Sequence, residues 1–580
     1  MDSTFAARRA GVLCPIFALR TEADLGIGDT EAVRGLIDWA SDSGLRFLQF
    51  LPINATGGDN SPYNAISSVA LEPLTLDLSP AAVPELPPAV FTDLCARHGL
   101  ASWATDRVDY PAVRALKGEL LRAGHAQLTS RPAGGGGNAG DPLEPRRAAL
   151  AAFRVAEEAW LDDFCLFRLL MDRAGNEDWP NWPEEYNTGD KARVWLAAER
   201  AARPEETEAA LSLHAYAQWL CAEQWGAVRD HACKRGVSLM GDVPFGVSWS
   251  SADVFFRPGE FDLTWCGGAP PETYFKDDLF VQKWGQNWGI PLYNWRQMEA
   301  GGFQWWSQRV RKLTEIFSVF RIDHVLGFYR IYSFPWRPQR NDEFLPLTTE
   351  EAAARCGGRT PRFLQHDDDT PGHKAANLAQ GDAFLRMILE AAAGAEVVAE
   401  DLGTVPDYVR PHLLSLDIPG FKICQWEEDE QGHAVQGAAY DNCSFTTYGT
   451  HDHEPMRTLW ERLRREVEDP AGASRTPAAQ ALKLLCQFAW LHPELGPYPP
   501  YDVGIRRALL AALLHSNARF AAFTLTDLFG LEVRFNVPGV ACDQNWSARL
   551  PMTLAEMQGD APWREDCAWL AEGVKAAGRA

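Results

Sequence analysis

Phe317-Ser318-Val319-Phe320-Arg321-Ile322-Asp323-His324 alternates apolar and charged residues from Phe320 onward and follows a helical stretch at 303–316. On a β-strand successive side chains take opposite faces, so Arg321 and Asp323 share one face while Ile322 points to the other. A strand ending in an acid, with a helix before it, is the repeating unit of an α/β barrel. Working outward, seven further apolar runs of strand length occur in order: 11–16, 47–53 and 238–245 before it, and 395–400, 420–426, 443–451 and 520–525 after it. Most are followed by a helical pattern. In 30–43, for example, Val33, Leu36, Ile37 and Ala40 form one apolar stripe behind the N-cap Asp29. Strands alternating with helices imply a parallel sheet, and eight of them imply a closed (β/α)8 TIM barrel; a doubly wound open sheet is the alternative.

Uneven spacing locates the insertions. Residues 1–580 read as a single catalytic barrel, interrupted by a mostly helical subdomain at 80–235, cover loops over the active site at 246–300 and a rim loop at 335–380. The first insertion contains a glycine-rich break at 131–141, expected to be a surface loop. The third contains Asp367-Asp368-Asp369, which reads as a solvated turn rather than a calcium loop because regular ligand spacing is missing. After the eighth run only about 55 residues remain, leaving little room for a C-terminal β-sandwich.

A net charge of −23 argues against nucleic acid and anionic membranes, whose binding draws on clusters of Lys and Arg. A neutral sugar fits better, and 22 Trp and 29 Phe offer faces on which sugar rings stack. The twelve cysteines, from Cys14 to Cys567, contain no C-x-x-C pair, so a reducing, cytoplasmic setting without a structural metal is expected. Arg8-Arg9 before an apolar stretch imitates a signal peptide, but Pro15 and the lack of a small-residue cleavage site favour a first strand. No run approaches the roughly 20 apolar residues of a membrane span.

Three acidic motifs end apolar runs: Arg321-Ile322-Asp323-His324, Glu400-Asp401-Leu402-Gly403 and Thr450-His451-Asp452. Active sites of these barrels lie at the strand C-termini, where a salt bridge is the plainer alternative for any one motif. An arginine beside a carboxylate favours the ionised form that a nucleophile needs, which suits Asp323. Glu400 follows Val397-Val398-Ala399, and apolar packing there favours a protonated acid. Asp401 faces away and is expected to cap the following loop. His451 and Asp452 suit hydrogen bonding to sugar hydroxyls better than metal binding, since no H-x-x-x-H pair occurs; a Ser-His-Asp triad lacks its G-x-S-x-G elbow. Gly26-Ile27-Gly28 lacks the third glycine of a dinucleotide fingerprint and reads as a turn.

With these motifs the chain resembles the 4-α-glucanotransferases of glycoside hydrolase family 77, the amylomaltases or disproportionating enzymes. The resemblance also rests on Ser61-Pro62-Tyr63-Asn64, Ser251-Ala252-Asp253-Val254, Gly285-Gln286-Asn287-Trp288-Gly289, Asn536-Val537-Pro538-Gly539 and Asn545-Trp546-Ser547. It implies a retaining double displacement on α-1,4-glucans and maltooligosaccharides, glucose included, by a monomer or homodimer with no organic cofactor. Asp323 would be the nucleophile, Glu400 the acid and then base, and Asp452 the carboxylate that stabilises the distorted sugar. Arg321 and His451 would bind that sugar; Ser61, Tyr63, Gln286, Trp288 and Asn536 would bind substrate, with Gln286 and Trp288 on a loop covering the cleft. The chain departs from many members at Ser250, where they carry an acid, and Val325-Leu326-Gly327 is more like the branch acting on heteroglycans and maltose. The rival readings are a hydrolytic α-amylase and a glucan-binding protein without catalysis.

Overall fold

The computed structural model describes residues 7–130, 141–272, 278–469, 474–492, 497–539, 542 and 544–580. Its strands in chain order are β1 (Arg9–Leu13), β2 (Phe47–Gln49), β3 (Ser238–Val243), β4 (Phe261–Ala269), β5 (Gln286–Tyr293), β6 (Val319–Ile322), β7 (Ile331–Phe334), β8 (Arg362–Leu364), β9 (Glu396–Ala399), β10 (Gly420–Ile423), β11 (Ser444–Thr447) and β12 (Phe520–Thr524). Around the ring β1, β12, β11, β10, β9, β6, β3 and β2 close a parallel barrel, and these eight coincide with the eight apolar runs of the sequence. Several strands stop short of the runs that predict them. In 443–451 pairing ends at Thr447, and the remaining residues turn into the loop that bears His451.

Alternation along the strands sorts side chains into two layers. Phe47, Met240, Val319, Val398, Phe421, Phe445 and Phe520 fill the barrel interior. Phe320, Ile322, Val397 and Ala399 face outward and pack with Phe384, Leu385 and Ile388 of the Pro371–Ala392 helix. Burying such side chains is worth about 1.5–3 kcal/mol each, so a one-residue slip of β6 would turn Ile322 into the barrel and drive the charged Arg321 into the apolar helical layer. The Thr30–Asp42 helix packs outside the barrel, its first turn capped by the Asp29 carboxylate, which accepts the Ala32 N–H at 3.0 Å. Gln304–Thr314 fills the stretch read as the helix before Phe317. Between β10 and β11 the described residues form short 3-10 turns at Cys424–Trp426 and Gly437–Ala439 and an antiparallel bridge between Glu428 and Ala434, in place of a regular helix.

Between β2 and β3 lie the helices Pro88–Arg97, Tyr110–Thr129, Glu144–Ala156, Glu158–Ala174, Gly189–Ala202 and Pro204–Arg235. The glycine-rich break read at 131–141 lies, except for Asp141, outside the described residues. Over the C-terminal rim the structure departs from the loops expected at 246–300 and 335–380. There β5, β4, β7 and β8 form an antiparallel four-stranded sheet in that order, and 335–380 also carries the helices Asn341–Phe344 and Thr349–Arg355. The sequence conceals this sheet because β4 and β5 contain Gly267, Gly268, Gly289 and Pro291, residues that usually signal turns, and their register is broken twice. Gly268 is required by the pairing itself, since a Cβ there would stand 1.9 Å from the Gln286 carbonyl oxygen. In the acidic run, Asp368 pairs with Arg330 at 3.2 Å and accepts hydrogen bonds from Asn377 and Tyr408, so it ties the rim together.

Candidate active site

Parallel pairing aligns the strand ends. Ile322 of β6 sits opposite Val243 of β3 and Ala399 of β9, so the next residues, Asp323 and Glu400, emerge side by side at the barrel mouth. The backbone continues this alignment: the Asp323 N–H donates to the Val243 carbonyl and the Glu400 N–H to the Ile322 carbonyl, both at 2.9 Å. Inside, Arg321 is buried and bridges two acids. One guanidinium nitrogen donates to Asp323 at 2.7 Å and the other to Asp242 at 2.5 Å. Its ring-side neighbour is Phe421, 5.7 Å away across the barrel. Burial opposes the charge of Arg321, but Asp242 and then Asp323 outweigh it and raise its pKa well above the ordinary value.

Asp242 was not among the residues singled out from the sequence. Its carboxylate also accepts the Tyr63 hydroxyl at 2.6 Å, so one acid orients both an arginine and a tyrosine at the mouth. Burial pushes its pKa up to about 6, with Arg321 pulling the other way. The available signal was an acid inside the apolar strand Ser238–Val243, which cannot be buried without a partner.

Glu400 differs from Asp323 in its surroundings. Its two oxygens accept the N–H groups of His324 at 2.8 Å and Leu402 at 3.1 Å. Burial still dominates and pushes its pKa up to about 8; Arg321 opposes that rise and Asp323 adds to it. Asp401 turns away, but it does not cap the following loop: it accepts the Phe421 N–H at 2.6 Å on β10 and pairs with Arg410 at 3.0 Å. The next strand held an unfilled donor that local sequence could not reveal.

Asp452 lies across the mouth beyond β11. Burial pushes its carboxyl upward, but His451, the Asn536 amide and His453 together hold it below the usual range. The Asn536 amide donates to it at 2.6 Å and the His451 ring lies 3.3 Å away. Burial lowers the pKa of His451, so its ring is a neutral hydrogen-bonding group near neutrality. Tyr63 stacks on His451 with centroids 5.1 Å apart, and Trp546 leans against both at 5.9 and 5.6 Å. Ser61 accepts the Tyr63 N–H at 3.3 Å and shapes the turn that presents it. Trp546 was read only as part of a motif; its closeness to Tyr63 depends on a fold-back of hundreds of residues.

Gln286 and Trp288 are on β5 rather than on a loop. The Trp288 indole N–H donates to the Gln286 side chain at 3.2 Å, and its ring meets His324 edge-on at 4.8 Å. Trp288 is 38% exposed, enough to offer a face to a ligand at the cleft. Contacts link Gln286 and Trp288 to His324, whose N–H donates to Glu400, and separately join Asp323, Arg321, Tyr63, Ser61, His451, Asp452 and Asn536; His324 follows Asp323 directly in the chain. No cluster of metal-binding side chains occurs among the described residues.

Comparison with known proteins gives the family and the fold. The family described as 4-alpha-glucanotransferase matches residues 14–554. The chain is 28% identical over 557 residues to the 4-alpha-glucanotransferase of Chlamydia trachomatis, covering 94% of this chain and 92% of that one. It is 29% identical over 555 residues to the enzyme of Thermus thermophilus, covering 94% and 95%. Among solved structures, an amylomaltase from Streptococcus agalactiae in complex with acarbose superposes with a TM-score of 0.71 at 20% identity, covering 99% of both chains. At that identity the superposition speaks to the (β/α)8 fold.

Proposed function

The chain belongs to the 4-alpha-glucanotransferase family and is an enzyme of that kind, and on that premise we propose that it works by a retaining double displacement. In this reading the Asp323 carboxylate attacks C1 of the donor sugar while Glu400 gives its proton to the departing O4, and the C1–O4 bond breaks. Glu400, now ionised, takes the proton of an acceptor 4-hydroxyl, whose oxygen attacks C1 and releases Asp323. Asp452 stabilises the distorted, oxocarbenium-like sugar in the transition state of each step, on either side of the covalent glucosyl-enzyme; Arg321 and His451 hold that sugar, and Ser61, Tyr63, Gln286, Trp288 and Asn536 bind the neighbouring glucoses. Donors are α-1,4-glucans and maltooligosaccharides, and glucose is the smallest acceptor.

The observation that carries the reading is the pairing of Asp323 with Glu400. They follow in-register residues of adjacent strands, and such strands lie about 4.8 Å apart. A retaining mechanism requires their carboxyl groups to lie about 5–5.5 Å apart, against about 6.5–9.5 Å for an inverting one. Their environments also differ as acid and nucleophile must: Asp323 has a guanidinium at 2.7 Å, whereas burial keeps a proton on Glu400 up to about pH 8.

Favouring a sugar hydroxyl over water by about a thousandfold requires roughly 4 kcal/mol, at 1.36 kcal/mol per decade. Aromatic contacts from Tyr63 and Trp288 supply part of that by holding the acceptor and excluding water. The net charge of −23 and twelve unpaired cysteines favour a reducing, cytoplasmic setting without nucleic acid, and no described helix is long and apolar enough to cross a membrane. Purified protein incubated with maltotriose should produce glucose and a ladder of longer maltodextrins. Shorter products alone would identify a hydrolase and overturn the proposal.

A further inference from the structure

The three carboxylates at the barrel mouth are not held alike. Asp323 and Glu400 come directly after β6 and β9, and hydrogen bonds to the Val243 and Ile322 carbonyls fix their backbones to the sheet. Asp452 is supported differently. Pairing of β11 ends at Thr447, and Tyr448, Gly449 and Thr450 intervene before His451 and Asp452. In the mechanism proposed above Asp452 acts through space on charge that develops in the sugar, so its effect depends on where it is held.

Two side chains that this mechanism does not use take the place of the sheet. The Arg534 guanidinium donates from Nη2 to the Asp452 carbonyl and from Nε to the Asn536 carbonyl, both at 2.8 Å. Asn536 in turn gives its amide to the Asp452 carboxylate at 2.6 Å. One planar group therefore fixes the backbone of Asp452 and the backbone of the residue that aims its carboxylate. It also ties the loop after β11 to the loop after β12.

The second brace is His453. Its Nδ1 lies 3.1 Å from the Thr450 backbone nitrogen and 3.0 Å from the Thr450 hydroxyl. A backbone N–H can only donate, so Nδ1 accepts, and the imidazole is neutral with its proton on Nε2. The Thr450 hydroxyl then gives its hydrogen to the ring and keeps a lone pair for the Asp452 N–H, 3.3 Å away. The turn closed in this way is tight, since a Cβ on Gly449 would stand 2.8 Å from the His453 Cβ. Trp426 leans on the imidazole with ring centroids 5.3 Å apart. Burial lowers the His453 pKa to about 4 against the pull of Asp452, which leaves Nδ1 free to accept near neutrality.

We propose that Arg534 and His453 are positioning residues that hold Asp452 against the reacting sugar, Arg534 from its carbonyl side and His453, through Thr450, from its N–H side. Both act through Asp452 rather than on substrate. The inference rests on the role given to Asp452 above, and its test keeps the two apart.

The test measures kcat and KM for maltotriose in wild type, Asp452→Asn, Arg534→Lys, His453→Leu and His453→Asn. Arg534→Lys keeps the charge but offers one nitrogen to two carbonyls, and His453→Leu keeps the bulk without the acceptor. Each should lower kcat about thirtyfold with KM changed by less than about twofold, because a displacement near 1 Å costs about a hundredfold. His453→Asn should return kcat to within about threefold of wild type, since its Oδ1 takes the place of Nδ1. In the Asp452→Asn background, itself down about a thousandfold, Arg534→Lys and His453→Leu should each cost less than about twofold more.

Near-wild-type kcat in Asp452→Asn would remove the stabilising role of Asp452 and both braces with it. Where Asp452→Asn falls as expected, three results overturn the braces alone: an unchanged kcat in Arg534→Lys or His453→Leu, a loss confined to KM, or losses that persist undiminished beside Asp452→Asn. His453→Asn no better than His453→Leu would also overturn them, and Arg534→Met carries the comparison if Arg534→Lys does not fold.

Discussion

The two ends of the barrel each bury an arginine and hold it in opposite ways. At the N-terminal end Arg579 is fully buried and donates to carbonyl oxygens of Arg9, Leu514, Ser516 and Ala518, at the entrances of β1 and β12. No carboxylate is among those partners, so burial and nearby Arg8 push its pKa down. At the C-terminal end Arg321 is just as enclosed, but Asp242 and Asp323 raise its pKa. Neutral acceptors make a clamp that joins strand ends. Charged acceptors make an electrostatic device, and under the proposed mechanism that difference separates a stabilising end from a catalytic one.

The comparison breaks most readily at Asp323. Asp323→Ala should lower kcat by about ten-thousandfold, roughly 5 kcal/mol of transition-state stabilisation, without lowering the thermal midpoint. Near-wild-type turnover in a discontinuous glucose-release assay would remove the nucleophile from the scheme. Asp242→Asn should cost about a hundredfold in kcat, because it loosens Arg321 and Tyr63 by a fraction of an ångström without touching the bond. A KM change with kcat intact would show instead that Asp242 serves binding alone.

The pH profile sharpens the contrast within the catalytic end. Glu400 must carry a proton to act as acid, and its pKa is raised from 4.5 to about 8. The alkaline limb of kcat/KM should therefore bend near pH 8 and fall tenfold per unit beyond it, not near pH 4.5. A limb that persists unchanged in Glu400→Gln would assign it to another group. The smallest effect on activity belongs to the opposite end. Arg579→Met should destabilise the protein by about 3 kcal/mol by leaving several carbonyls unpaired, while kcat per folded molecule is unchanged. Urea unfolding alongside active-site titration separates the two quantities.

Much of the barrel was legible because its signals are local. Val319-Phe320-Arg321-Ile322 carries its inward and outward faces in its own alternation, and apolar runs between helical stripes name their neighbours in the ring. The rim sheet was not legible. Its pairing of Cys266 with Phe334 and Gly267 with Ser333 joins segments whose glycines and prolines look like turns until a partner is opposite them. The same holds at the site. Asp323, Glu400 and Asp452 could be picked out at the ends of apolar runs, whereas Asp242 and Trp546 acquire meaning only beside Tyr63, which lies 179 residues before Asp242.

The sequence by itself determined the number and order of the barrel strands and picked out Asp323 and Glu400 directly after two of them, because periodicity and chain order are properties of neighbouring residues. Tertiary structure alone decided that Asp242 also holds Arg321, that Asp401 accepts from the next strand, and that Gln286 and Trp288 stand on a sheet. Those outcomes depend on burial and on charges brought together from distant segments, and neither exists until the barrel has closed.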